Sequence, residues 1–425
     1  MKPAPGCQSG WLTHRVLGAA GTGLPGITLD GPGPELMGPG RPAPGARAGT
    51  ARTGVVPGLQ RKGTMTTLAA RDEASKPAPL VPEAGAAAVR DLPQRALVLR
   101  RFGGPEGFEL VDQPMPVPGA GEVRVRVLAA SVQFTDTLLR RGLYPDLRER
   151  PPLILGYDVV GEVVALGPGV TSLQVGDRVA DLTMTGSYAR FRTLRADRVV
   201  PVPPGVDAAE AVAMVLTWAT AYQLLHREAR VSAGQRVLIH GAAGAVGQAL
   251  VALGRRAGLQ LWGTAHARDA ERVRSAGATP IEPRTQEALA LVPKGFDVVF
   301  DGIGERGFAP SWAAVTPGGT LVGYGFSAAA AKGTSRLTVG LWLLRLHLWD
   351  WLPDQKSARF YSITAQRERQ PGWYRADLAA LFALLQARQV RPVIARRIGL
   401  EAVAEAHRQL EAGGVSGKIV LCPWG

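Results

Sequence analysis

The sequence predicts an α/β protein with two folded parts behind a long N-terminal extension that lacks any periodic pattern. Three observations predict it. Between Arg95 and residue 205 short apolar runs and period-two alternation dominate; after Asp207 strands and helical spacings alternate; and a glycine string joins a strand to a helix at His240–Gly247.

The chain has 425 residues, 46% of them hydrophobic, which is enough for two or three cores. The first 64 residues hold 15 glycines and 9 prolines, with 7 basic and 2 acidic side chains. Such a stretch buries too little apolar surface to offset chain entropy, so residues 1–92 are expected to be disordered. Met65 opens a less glycine-rich stretch and is read as an alternative start. A transit peptide is the competing reading, because residues 1–29 are acid-free, although they contain one arginine.

Residues 1–64 account for +5 of the net charge of +14, residues 65–94 for −1 and the rest for +10. The remaining arginines are scattered rather than run together. This excludes a nucleic-acid-binding arm and reads as a solvated surface, of which a phosphate-bearing ligand needs only a few residues. Cys7 and Cys422 sit at opposite ends, which excludes a disulfide framework and a cysteine-rich metal site and fits the cytoplasm. No uninterrupted apolar core marks a secretory signal. The most apolar stretch, Val339–Leu352, is too short to span a bilayer and is broken by Arg345, His347 and Asp350. Its Trp342, Leu343, Leu346, Trp349 and Trp351 are read as sharing no clean helical face. A lid or subunit contact is the plainer expectation for it, and docking on lipid the other.

Element by element, ALVLRRFGGPEGFELVDQPMP reads as a strand, a Gly-Pro turn and a second strand, and GEVRVRVLAASV as a half-buried strand. Further short strands separated by glycine turns follow to residue 205. Residues 207–227 carry helical spacing. RVLIH, LQLWGTA, FDVVFDG and GGTLVGYG are then strands, each followed by a helix, which demands right-handed βαβ units and a doubly wound parallel sheet. A helix, the strand RPVIARRI, the helix EAVAEAHRQLEAG and the strand KIVLC close the chain.

His240-Gly241-Ala-Ala-Gly244-Ala-Val-Gly247 follows a strand and opens a helix. One glycine permits the tight turn, one lets backbone N–H groups approach a pyrophosphate, and one lets the helix lie close on the strand. The motif therefore predicts a dinucleotide site. The next strand ends Gly263-Thr264-Ala265-His266-Ala267-Arg268, with an arginine where NAD-binding folds carry an acid, and Asp269 is assigned to the first turn of the following helix. This favours NADPH over NADH. His240 and His266 are read as structural residues rather than acids.

These residues carry a family resemblance. SVQFTDTLLRRGLYP, PLILGYDVVGEVVALGPGV, VGDRVA, LTWATAYQLL, HGAAGAVG, FDVVFDGIG, GYGFS and SGKIVL occur in this order. They resemble the quinone oxidoreductase branch of the medium-chain dehydrogenases/reductases, which includes homologues of the vesicle amine transport protein, over residues 95–425. The resemblance implies a GroES-like β-rich catalytic domain (93–217), a Rossmann domain (218–375) and a return segment to the catalytic domain (376–425). It also implies a homodimer.

Zinc-dependent relatives carry Cys where this chain has Gln133, and Gly-His-Glu where it has Gly156-Tyr157-Asp158; the resemblance thus implies no metal site. Hydride would pass directly from NADPH to a quinone or an α,β-unsaturated carbonyl in a cleft between the domains. Gln133 and Tyr144 are the expected polar contacts of that acceptor, and Asp136 is expected to be structural. Relatives usually carry Asn at the Gln133 position. On the cofactor side the resemblance implies Thr220 near the nicotinamide. It places Gly244, Ala245 and Val246, beside Gly241 and Gly247, at the pyrophosphate. Thr264, His266 and Arg268 fall near the adenosine. Asp301, Gly302, Ile303 and Gly304, with Tyr324, Gly325, Phe326 and Ser327, border the nicotinamide ribose and carboxamide, and Lys418 reaches a phosphate. Pro283 replaces a tyrosine of many relatives, which shifts the expected contact there to Arg284. A non-catalytic NADPH-binding scaffold is the alternative reading.

Overall fold

The computed structural model describes residues 93–424, apart from residue 145 and the segments 283–294 and 328–334. The expected N-terminal extension and the Pro283–Arg284 position therefore lie outside the described residues.

The period-two stretch forms the strand Glu122–Val132, whose Val123, Val125 and Val127 point into one buried cluster. It pairs antiparallel with Asp158–Leu166 and with Phe191–Arg195, and its far end pairs with the last strand, Lys418–Leu421, where Ile419 faces Val132. The chain's end thus completes a sheet begun some 300 residues earlier, in the order Ile394–Ile398, Lys418–Leu421, Glu122–Val132, Asp158–Leu166, Arg178–Leu182, Val200–Pro201. A three-stranded sheet of Phe108–Gln113, Gln94–Leu99 and Leu153–Ile154 stands beside it. This is the GroES-like part.

Asp207 caps the helix that leaves it, accepting from the backbone N–H groups of Ala209 and Glu210, both at 3.0 Å. That helix, Ala208–Glu228, is long and apolar enough to cross a membrane, yet its apolar window is 83% buried inside the protein. It contains two π-turns, Met214–Trp218 and Leu224–Glu228. The returning helix, Pro371–Gln386, crosses it through a buried polar joint. Asp377 accepts from Gln223 Nε2 at 2.8 Å and from Arg227 at 2.7 Å; Tyr361 donates to Gln223 Oε1 at 2.7 Å, and Tyr374 to the carbonyl of Val215 at 2.9 Å.

Six parallel strands make the third sheet, in the order Thr279–Ile281, Gln260–Thr264, Arg236–Ile239, Phe296–Asp301, Val315–Gly323, Ser357–Phe360. Strand order steps outward in both directions from Arg236–Ile239, so the crevice at its carboxyl end is the switch point where doubly wound sheets bind ligands. The edge strand Ser357–Phe360 was not expected, because SARF has no apolar run.

The Trp/Leu segment differs from its sequence reading. Arg336–Trp349 is one helix, and Trp342, Leu343, Leu346 and Trp349 do share a face. Leu346 is buried, Trp349 stacks on Trp312 with ring centroids 5.1 Å apart, and Trp342 stacks on Phe326 at 6.4 Å. Only Trp351 departs, because it lies past the helix end and is 88% exposed. The pattern was obscured because the opposite face is apolar too: Leu337, Leu341, Leu344 and Leu348 are all exposed.

Candidate nucleotide and acceptor site

The crevice at the switch point is a cavity of ≈ 450 Å³. Its floor is the glycine string. Gly241 has a positive φ of 70°, which turns the chain out of Arg236–Ile239, and its N–H donates to Thr264 Oγ1 at 2.9 Å. The helix Ala245–Arg256 then starts with Gly244 as its N-cap. A Cβ on Gly247 would lie 2.3 Å from the carbonyl oxygen of Gly241 and 2.6 Å from Cα of Ala242, so only glycine allows this approach. The first-turn N–H groups have no intrahelical acceptor, and with the helix dipole they form a cradle for an anion. Gly241, Ala243, Gly244, Val246 and Gly247 line the cavity, as does His240. Ala245 is the first helical residue but is not among the lining.

The opposite wall is built by the loop after Phe296–Asp301. Asp301 is 3% exposed; its Oδ1 accepts from the N–H groups of Ile303 at 2.8 Å and Gly304 at 3.0 Å, and its Oδ2 from Ser311 Oγ at 2.6 Å. It therefore shapes the loop that presents Gly302 and Ile303 to the cavity and does not line it. Tyr324 lies over Gly302 so closely that a Cβ there would come within 2.7 Å of the ring, and a Cβ on Gly325 would meet the Gly302 carbonyl at 2.7 Å. Burial first, then the Asp301 charge, raises the Tyr324 phenol above its ordinary value, so it stays neutral. Ser327 completes this wall. Phe326 points away, stacked on Phe360 with centroids 5.0 Å apart.

At the outer end stand Thr264, His266, Asp269 and Arg272. Here the structure revises the sequence reading. Asp269, closing the short turn Ala267–Asp269, does face the cavity, and it is held by Arg272 at 2.6 Å. Arg268 is two-thirds exposed, with its Nε 3.6 Å from Asp269. Arg272 was missed, although the Asp269–Arg272 spacing of three on a helix start was a usable signal. Gly414 and Val415, which close the cavity from the returning chain, gave none.

Gln133 and Lys418 belong to a separate cluster inside the GroES-like part, and Tyr144 reaches Tyr157, the chain neighbour of Asp158. Gln133 precedes the helix Phe134–Arg140, and its N–H donates to Asp136 Oδ2 at 2.9 Å. Its side-chain Nε2 donates to Asp158 Oδ2 at 2.9 Å, while Asp158 Oδ1 accepts from the Ser131 N–H at 2.7 Å. The resemblance implied a phosphate contact for Lys418, but the structure places it elsewhere. Its Nζ is buried and donates to Gln133 Oε1 and, at 2.6 Å, to Thr217 Oγ1. Thr220, one turn on from Thr217, is likewise buried and does not line the cavity. Tyr144 and Tyr157 share a hydrogen bond of 2.8 Å between their hydroxyls.

Burial sets the electrostatics of this cluster. It pushes Asp136 up to about 7, aided by the Asp158 charge, and Asp158 up to about 6, against the pull of Lys418. It lowers Lys418 to about 8 although both carboxylates favour its charge, and it raises Tyr144 to about 12. Among the described residues no three His, Cys, Asp or Glu side chains converge as metal ligands.

Comparison with known proteins accords with this geometry. Residues 119–204 match the alcohol dehydrogenase GroES-like domain and residues 276–421 the zinc-binding dehydrogenase domain. The chain is 32% identical over 330 residues to a quinone oxidoreductase of Pseudomonas aeruginosa, an alignment covering 76% of this chain and 97% of the relative. It is 30% identical over 344 residues to a 2-haloacrylate reductase of a Burkholderia species, covering 77% and 98%. A mycobacterial protein solved in complex with NADPH superposes with a TM-score of 0.66 at 28% identity, covering 78% of this chain and 100% of that one. The chain is an oxidoreductase of the medium-chain dehydrogenase/reductase family, related to its quinone oxidoreductases.

Proposed function

We propose that the protein is an NADPH-dependent reductase that delivers a hydride, without zinc, to a quinone or an α,β-unsaturated carbonyl. The observation that carries it is the pairing of a dinucleotide cradle with a buried polar cluster that contains an ammonium. The cradle fits the cofactor: Gly247 admits no Cβ, Gly241 needs its positive φ, and the helix start offers N–H donors where a pyrophosphate belongs. NADPH bound there would supply a hydride, which with one proton from solvent reduces the acceptor by two electrons.

The preference for NADPH rests on Arg272. Its guanidinium already neutralises Asp269, so the cavity's outer end presents no free carboxylate to a 2′-phosphate, and Arg268 stands beside it. Charge-assisted hydrogen bonds of this kind contribute about 1.5–3 kcal/mol. Arg272→Ala is therefore expected to weaken NADPH binding by roughly 10- to 100-fold while leaving NADH within a few-fold. Arg268→Ala should have the smaller effect, because its side chain is more exposed. Fluorescence titration of both nucleotides tests this, and equal losses for NADPH and NADH would remove the phosphate contact from the account.

Zinc independence rests on donor chemistry. Around Gln133 the polar groups are a carboxamide, a threonine hydroxyl, the carboxyls of Asp158 and Asp136, both engaged by backbone N–H groups, and the Lys418 ammonium, which would repel a dication. Gln133 and Tyr144 are the proposed polar contacts of the acceptor oxygen. Tyr144, neutral because burial raises its phenol, can donate a hydrogen bond. We further propose that the protein acts as a homodimer, as the family resemblance implies, and in the cytoplasm, which its two lone cysteines fit.

A further inference from the structure

Lys418 is a buried cation without a direct carboxylate partner. It opens the strand Lys418–Leu421, and its Nζ meets two neutral acceptors, Gln133 Oε1 and Thr217 Oγ1. The carboxylate that most favours its charge, Asp158, has its oxygens taken by the Ser131 N–H and by Gln133 Nε2. Gln133 thus stands between ammonium and carboxylate, accepting from one and donating to the other. That geometry fixes which end of the carboxamide is nitrogen. A purely structural ion pair would close directly, because desolvating an ammonium costs several kcal/mol and direct contact with the carboxylate offsets most of it. Here the charge is kept one residue away from Asp158, on the side of the amide oxygen. The two acceptors account for two of the three N–H groups of Lys418, and the carboxamide retains one N–H beyond that given to Asp158.

Hydride arrival at the carbon of a quinone or enone leaves negative charge on the acceptor oxygen, and preorganised donors in a dry site stabilise such charge most strongly. We propose that Lys418 is a positioning residue of the acceptor site, its ammonium locking the Gln133 carboxamide and supplying the fixed positive charge beside which the acceptor's oxyanion develops. The inference rests on the reductase reading for its role in turnover, but the charge itself is measurable without turnover.

The groups that face Lys418 are Asp158 from the strand Asp158–Leu166 and Asp136 from the helix Phe134–Arg140, with the neutral Gln133 and Thr217. With Lys418 lowered to about 8, its charge is present below that pH and is lost above it. The wild-type kcat is therefore expected to fall as pH rises through about 8, and the fall to move to higher pH in Lys418→Arg.

The test is absorbance titration of 4-nitrophenol, a stable mimic of the oxyanion, bound to the full-length protein saturated with NADP⁺. Wild type is expected to prefer phenolate over phenol at least tenfold relative to water, Lys418→Met to lose the preference, and Lys418→Arg to keep part of it. Lys418→Met leaves Asp158 uncompensated and is liable to unfold. The charge-neutral pair Lys418→Met with Asp158→Asn therefore serves as the second variant, expected to fold and still to lack the preference. With an acceptor present, loss of one oxyanion donor predicts a fall in kcat of roughly 10²-fold at unchanged NADPH affinity. A wild type without phenolate preference overturns the proposal, as does a folded variant that keeps both the preference and its kcat. If the preference is present and lost on substitution but no acceptor is reduced, Lys418 keeps its role as a fixed charge and the reductase reading alone fails.

Discussion

Replacing Gly247 by valine is expected to abolish measurable nucleotide binding while leaving the GroES-like part folded. The cause is steric and local. A Cβ would stand 2.3 Å from the Gly241 oxygen and 2.6 Å from Cα of Ala242, both backbone atoms of the loop proposed to accept the pyrophosphate. The helix Ala245–Arg256 cannot yield by rotating a side chain. It has to back away from the strand, carrying its N–H donors with it, and a displacement of about 1 Å is enough to cost two orders of magnitude in a preorganised site. Overpacking of this kind also destabilises by about 1–3 kcal/mol. Calorimetric titration with NADPH, beside a thermal melt, separates the two effects. Wild-type affinity in the variant would mean that the pyrophosphate lies elsewhere.

The second large effect is expected at the joint between the crossing helices. Asp377 is 2% exposed and is the shared acceptor of Gln223 and Arg227. Asp377→Ala leaves the Gln223 amide, fully buried and still receiving Tyr361, without its acceptor, and strands Arg227 beside Trp373. Breaking a buried pair commonly costs 3–5 kcal/mol. Because Arg227 is one-third exposed and can turn to water, about 3 kcal/mol is expected here, or a fall in Tm of roughly 4 °C. Asp377→Asn, which keeps an acceptor for Gln223, should lose less. These residues do not line the cavity at the switch point, so nucleotide binding measured below the melting range should change little. A melt unchanged in Asp377→Ala would show that the joint does not hold the two parts together.

The long antiparallel strands and the four inner strands of the parallel sheet were legible in the sequence because their signals are local. Period-two alternation marks Glu122–Val132, and the runs RVLI and FDVVFD, bounded by glycine, mark buried parallel strands. The glycine string was legible for the same reason: its turn, helix start and close approach all lie within eight residues. What escaped depends on contacts far apart in the chain. Lys418 meets Gln133 across 285 positions, and Gly414 and Val415 reach the cavity from the returning segment, so no window of sequence contains either relation. Asp301 and Phe326 lie in motifs whose loops border the cavity, yet their side chains turn inward. A motif places a backbone segment, whereas packing decides which of its side chains face a ligand. Arg272 is the intermediate case, recoverable from helical spacing but overshadowed by Arg268 at the strand tip.

The central claim is tested most directly by incubating the purified full-length chain with NADPH and following its oxidation with 9,10-phenanthrenequinone and with a simple enone, NADH being run in parallel. Acceptor-dependent oxidation, faster with NADPH than with NADH, is the expected result. Tight NADPH binding with no acceptor reduced would contradict the enzymatic reading in favour of a nucleotide-binding scaffold, and failure to bind either nucleotide would contradict the site itself.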